Sequence, residues 1–245
     1  MSDLSDLVKR YADLRATTLA LAAPLSEADC TVQSMTDASP VKWHLAHTSW
    51  FFETFVLEPF ACAGDVFECF DPSYRVLFNS YYNSIGEQYP RPDRGLITRP
   101  GMAQVERYRA FVDEGIARLL ADPELPDEVV ALVELGIQHE QQHQELVLTD
   151  LKHALSCNPN HPVYRERIDD EADRADPGLL AWRACDEGLV EIGFSGDGFS
   201  FDNERPNLTS GVSSSPIRPT RLKLNWKRVS APLSTNSRLK PQQHP

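Results

Sequence analysis

The sequence predicts a mainly α protein, with a four-helix bundle over residues 1–158 followed by an incomplete α+β fragment and a disordered tail. Three observations predict this. Apolar residues recur at helical spacing in four long segments of the first 157 residues. One connection between those segments, Asp71 to Pro100, is long and punctuated by Pro and Gly. The composition then changes after Pro162 and again after Pro206.

The first helix is expected from about Leu4 to Leu21, because Leu4, Leu7, Val8, Tyr11, Leu14 and Thr18 share one helical face. A second begins at Ser39-Pro40, with Ser39 suited to the N-cap and Pro40 to the first helical position. It should run to near Cys62, since Gly64 breaks the pattern. The third follows Pro100 and aligns Val105, Tyr108, Val112, Ile116 and Leu119. The fourth opens at Pro126-Asp127 and extends to about Ser156. Four helices with one long crossover read as a bundle. No internal repeat has a solenoid period.

Length and charge exclude several function classes. A chain of 245 residues can bury a real core without disulfides or structural metals. Its net charge of −12 offers nothing to a phosphate backbone or an anionic membrane surface. No apolar run is long enough to span a bilayer, and the N-terminus lacks the apolar core of a secretory signal. Five scattered cysteines without a CxxC pair point to reduced thiols in the cytoplasm. The expectation is therefore a cytoplasmic protein with no nucleic acid and no membrane as partner.

The charge is unevenly spread. Residues 207–245 carry seven Lys or Arg and no Asp or Glu, whereas residues 1–206 hold the other 17 basic and all 36 acidic groups. At the acidic density of the first part, a segment of that length should contain about seven carboxylates.

Chemistry concentrates on the fourth helix, in Gln138-His139-Glu140-Gln141-Gln142-His143-Gln144-Glu145. His139 and His143 are four apart and share a face, on which Leu132, Leu146 and Asp150 also fall. Two inward imidazoles need partners. HxxxH alone is explained as well by carboxylates bonded to both rings as by a shared metal. Glu140 after His139 also leaves a zinc hydrolase of HExxH type open. On the second helix, His47 sits inside an aromatic stripe of Trp43, Trp50 and Phe51, with Thr54 beside it. His44 is the rival ligand, but it lies about 60° round the helix from His47. Three neutral imidazoles from two helices would leave a divalent ion its full charge and open positions, which suits Fe(II) with a thiolate and O₂, or a four-coordinate zinc.

Four segments carry a family resemblance: Ser39-Pro40-Val41-Lys42-Trp43-His44-Leu45-Ala46-His47-Thr48-Ser49-Trp50-Phe51-Phe52-Glu53, Phe78-Asn79-Ser80-Tyr81-Tyr82, Arg94-Gly95-Leu96-Ile97-Thr98-Arg99-Pro100, and His139 to Glu145. In order and density they resemble the ergothioneine-biosynthesis sulfoxide synthases (EgtB type) over about residues 1–206. The resemblance implies a DinB-like bundle whose metal ligands are His47, His139 and His143 and whose cofactor is Fe(II). It implies a non-haem iron oxidoreductase that uses O₂ to join the sulfur of γ-glutamylcysteine or cysteine to C2 of hercynine, giving a sulfoxide. Arginine forks bind carboxylates. Arg91, Arg94 and Arg99 are candidates for the thiol substrate's carboxylates, and the resemblance favours Arg94.

Beyond Pro162 the acidic run Asp169 to Asp176 reads as part of a linker over 159–179. Trp182, Gly188 to Gly193 and Gly198 to Pro206 then read as short strands with glycine turns. Residues 180–206 resemble the opening of the family's second domain, which has a formylglycine-generating-enzyme-like (C-type-lectin-like) fold. The family's catalytic tyrosine belongs to that domain, and no residue here matches it. Because the resemblance stops where the composition breaks, residues 207–245 read as a frameshifted tail and the chain as truncated, with little expected synthase activity. Two other readings are a DinB-like metal-dependent thiol S-transferase, which needs no second fold, and a non-enzymatic metal-binding remnant.

Overall fold

The computed structural model describes residues 2–61, 67–166, 188–196, 198–204 and 208–212. The chain divides into two units, Met1–Asp176 and Pro177–Pro245.

All four expected helices form in the first unit. They are α1 (Ser2–Ala22), α3 (Val41–Phe52), α6 (Met102–Leu120) and α7 (Asp127–Cys157). A short helix the periodicity did not reveal, α2 (Glu27–Thr31), precedes α3. Its Ser26 and Asp29 form a reciprocal capping box, which explains how five residues hold a helical turn. α3 starts one residue later than expected. Pro40 is its N-cap, with ψ 145°, and Ser39 lies outside it. The backbone N–H of Ser39 instead donates to Asp150, 2.8 Å away on α7. At its other end α3 continues through a π-helical turn, Glu53–Leu57, into α4 (Glu58–Phe60). The expected terminus near Cys62 lies outside the described residues.

α1 packs on α7, and α3 packs on both α6 and α7. Leu7, Tyr11, Leu14 and Thr18 of α1 are buried, whereas Val8 at the edge of the stripe is 41% exposed. On α6, Val105, Tyr108, Val112 and Ile116 are buried, with Leu120 rather than Leu119 closing the stripe. Every residue of α3 is buried, including Lys42, His44 and His47. A helix buried all round can carry chemistry only if its polar side chains face a cavity or one another.

The close approach of α3 and α7 depends on Gly136. A Cβ there would lie 2.3 Å from Phe52 Cε1 and 3.1 Å from Phe51 Cε1. The glycine lets α7 lie against the two rings, one turn before His139. The long crossover folds over this junction as α5 (Tyr74–Leu77) and a 3₁₀ segment, Arg91–Leu96.

A second set of polar groups ties α7 to α1 and α6. Glu140, with no exposed surface, accepts from Arg15 Nη1 at 2.8 Å, Arg109 Nη2 at 2.9 Å and Thr18 Oγ1 at 2.6 Å. Arg15 also donates to Asp113 and Ser49. The two guanidiniums hold the Glu140 carboxyl down at about 2 despite its burial. Glu140 is thus spent as a structural anion between α1 and α6. That removes the HExxH zinc-hydrolase reading, in which this glutamate must serve as a free base.

In the second unit β1 (Gly188–Ile192) pairs antiparallel with β2 (Leu208–Val212), from Gly188 opposite Val212 to Ile192 opposite Leu208. A 3₁₀ turn at Asp202–Glu204 lies in the connection. Phe194 N–H donates to the Glu204 carbonyl at 2.8 Å. β2 falls within the stretch expected to be a disordered tail. A break in charge composition does not prevent a backbone from pairing with a neighbouring strand. Trp182, most of the expected linker and residues 213–245 lie outside the described residues.

Candidate metal centre

His47 on α3 and His139 and His143 on α7 converge, each offering one ring nitrogen within 4.8 Å of the others. Ring centroids are 5.1 Å apart for His47 and His139, 4.7 Å for His47 and His143, and 4.6 Å for His139 and His143. The three sequence-predicted ligands are therefore brought together.

Local packing holds His47 in place. Its ring stacks between two indoles, Trp43 at 4.5 Å and 13° and Trp50 at 5.5 Å and 16°. Its Nδ1 lies 2.6 Å from the carbonyl of Phe78. A carbonyl only accepts, so Nδ1 carries the proton and Nε2 keeps its lone pair. The aromatic stripe read from the sequence is thus a clamp on this ring. Trp43 is fixed in turn by its Nε1–H bond to the Leu77 carbonyl.

Burial pushes all three imidazoles toward the neutral form. His47 falls well below its ordinary value, first from desolvation and then from the neighbouring His139. His143 falls well below for the same reason, with His47 and His44 adding to it. Burial takes His139 to about 4, against the pull of Glu140. Three neutral rings with lone pairs available near pH 7 are the protonation state a cation needs. Among the described residues the buried Nδ1 of His139 has no hydrogen-bond partner. Such an orphan is costly unless something else satisfies it. On donor chemistry, convergence and this unpartnered nitrogen, the cluster fits a divalent metal ion.

His44, the rival ligand, takes a different place. Its Nδ1 lies 2.8 Å from His143 Nδ1, and its Nε2 lies 3.1 Å from Asp150 Oδ2.

The histidines line a cavity of about 430 Å³ shared with Arg91, Arg94 and Tyr82. Arg94 is 4% exposed, and its guanidinium lies 3.4 Å over the Trp43 ring. It donates to Ser39 Oγ at 2.9 Å and Ser80 Oγ at 3.3 Å, while its Nε has no partner among the described residues. Burial and the nearby Arg91 charge bring it down to about 10. Among the described residues no carboxylate pairs with it, so a buried cation faces the cavity with its charge uncompensated. Arg91 donates to Tyr81 Oη at 2.9 Å and to the Asp37 carbonyl, and its Nε too has no partner among the described residues. Arg99 is exposed and does not line the cavity.

Sequence reasoning weighed His44 only as a rival ligand and did not single out Ser39 or Ser80 as parts of the site. Asp150 was visible only as a residue on the right face. The available signals were spacing alone: His44 three before His47, and Asp150 seven after His143.

The fold and site together define a helical bundle with a three-histidine cluster between two of its helices. The profile of the DinB superfamily matches residues 10–147, and the chain belongs to that superfamily. DinB-like domains are often metal-binding, and the superfamily includes metal-dependent enzymes. No curated protein sequence matches the chain. Among the described residues no helix is long and apolar enough to cross a membrane. Cys30, Cys69 and Cys157 are free thiols.

Proposed function

We propose that this bundle is the metal- and thiol-binding part of a non-haem Fe(II) sulfoxide synthase that joins the sulfur of γ-glutamylcysteine or cysteine to C2 of hercynine using O₂. The observation that carries the reading is the buried, uncompensated Arg94 in the same cavity as the three histidines. His47, His139 and His143 would hold the ion. When bound, it would supply open coordination positions for a thiolate and O₂, and the redox chemistry of iron.

The chain's own residues account for substrate selection. Three neutral ligands leave a divalent ion uncompensated, and Arg94 and Arg91 add two further cations. A cavity of that charge favours an anionic substrate. A thiol substrate with a carboxylate meets both needs, its sulfur near the histidines and its carboxylate on the Arg94 fork. Trp43 keeps Arg94 and His47 in register by stacking one on each side. Residues 180–206 are assigned, in this proposal, to the opening of a formylglycine-generating-enzyme-like domain.

A metal-dependent thiol S-transferase is the second reading. It is favoured by the superfamily match, which lies wholly within the bundle. Both begin from the same metal test. Anaerobically reconstituted chain should bind one Fe(II), and His143→Ala should lose it. Arg94→Lys should then weaken binding of the thiol substrate about tenfold or more while leaving hercynine binding unchanged, since lysine lacks the fork. Equal losses for both substrates would remove Arg94 from the thiol subsite. Thiol transfer without O₂ consumption would favour the S-transferase, and O₂-dependent formation of the C–S sulfoxide the synthase.

A further inference from the structure

We propose that Asp150 and His44 are positioning residues of the metal centre: through two successive hydrogen bonds they hold His143 in the tautomer that leaves its Nε2 bare to serve as a ligand. The inference rests on the three-histidine cluster but not on which metal fills it.

The direction of each bond follows from what its partners can do. The Asp150 carboxylate is acceptor-only when ionised, and its Oδ2 already accepts the Ser39 backbone N–H at 2.8 Å. His44 Nε2, 3.1 Å from the same oxygen, must therefore carry a proton. A neutral imidazole has one donor and one acceptor, so with Nε2 donating to Asp150 the Nδ1 of the buried His44 accepts. His143 Nδ1, at 2.8 Å, can only be the donor. One proton position thus determines the next, from carboxylate to His44 to His143.

The chain of bonds also crosses between helices. Asp150 and His143 stand on α7, and His44 stands on α3, the helix that carries His47. The relay therefore ties the two ligand-bearing helices together beside the site, and Ser39 anchors it at the N-terminal end of α3. A metal-binding histidine whose other nitrogen donates to a basic acceptor is both oriented and made a stronger donor. Here a second imidazole lies between the ligand and the carboxylate. His47 is treated in parallel through the Phe78 carbonyl.

Two measurements test this. In metal-free protein labelled with ¹⁵N-histidine, long-range ¹H–¹⁵N correlation reads each ring's tautomer directly. The expected result is His143 protonated at Nδ1 and His44 protonated at Nε2. A proton on His143 Nε2, or averaging between tautomers on either ring, would overturn the proposal whether or not the chain binds metal. Zn(II) affinity is then measured by competition with a chromophoric chelator for the wild type, His44→Phe, Asp150→Ala and Asp150→Asn. His44→Phe and Asp150→Ala should each weaken Zn(II) binding about 10–100-fold. Asp150→Asn keeps an acceptor oxygen for His44 and should restore the wild-type tautomers and most of the affinity. Unchanged affinity in both His44→Phe and Asp150→Ala would refute a positioning role, as would a Zn(II) complex in which His44 Nδ1 is itself a ligand. A wild type that binds no Zn(II) but shows the expected tautomers would sink the metal reading and leave the proton order standing.

Discussion

Replacing Glu140 by leucine should destabilise the bundle by about 3–5 kcal/mol, the usual cost of removing one partner from a buried ion cluster. The magnitude follows from what the two arginines keep. Arg15 retains Asp113 at 2.7 Å and Ser49 at 2.8 Å. Among the described residues Arg109, 1% exposed, retains only neutral acceptors: the Leu45 carbonyl at 3.0 Å, Thr48 Oγ1 at 3.1 Å and the Arg15 carbonyl at 3.4 Å. A buried guanidinium would be left without a directly bonded counter-charge. For a chain of this size each kcal/mol shifts Tm by about 2–4 °C, so the loss should read as roughly 6–20 °C. Thermal unfolding followed by far-UV circular dichroism measures it. Glu134→Leu is the control, since the Arg10 side chain it pairs with is 41% exposed and such pairs contribute under about 1 kcal/mol. The acid side of the wild-type profile gives a second check. The Glu140 folded pKa, about 2, lies below its ordinary 4.5, so its contribution is complete above about 4.5 and is lost as pH falls toward 2. Equal effects of the two substitutions, or a Glu140→Leu loss under about 2 °C, would refute the reasoning.

Two further outcomes are expected. Gly136→Ala gains about 1 kcal/mol of helix propensity but drives a methyl to within 2.3 Å of Phe52, an overpacking that costs about 1–3 kcal/mol. Because α7 must shift away from α3, Zn(II) affinity should fall more than tenfold, and an alanine variant as stable and as tight as the wild type would show that the helices do not need this approach. In metal-free protein His44, His47, His139 and His143 all have folded pKa values below the ordinary 6.5. Their contribution to stability is therefore complete above about pH 6.5 and falls as pH drops toward 4, by up to about 1.4 kcal/mol per pH unit for each histidine. A Tm that stays flat from pH 7 to 5 would contradict the burial of these rings.

The sequence alone determined the four long helices, because each carries an apolar stripe of several turns that no other period explains. Helix ends at Pro126-Asp127 and near Ser156 were legible for the same local reason. It also determined which three histidines to compare, through the i, i+4 spacing of His139 and His143 and the aromatic stripe around His47. Short elements were less legible. α2 holds through a capping box of two side chains, and the 3₁₀ segment at Arg91 through contacts with distant residues, neither of which leaves a period. β2 went unread because pairing with β1 is a long-range event.

Only the tertiary structure decided what each polar side chain does. Glu140 and His139 are neighbours in sequence, yet a helix turns successive residues about 100° apart, so one anchors arginines of α1 and α6 while the other faces the cavity. His44 and His47 share a helix and a composition. Their roles separate because Asp150 of α7 meets one of them and the Phe78 carbonyl meets the other. The charge of Arg94 was legible from the start. That it lies buried beside three neutral imidazoles, stacked on Trp43 and without a carboxylate, depends on how the long crossover folds over α3 and α7, which no local pattern encodes.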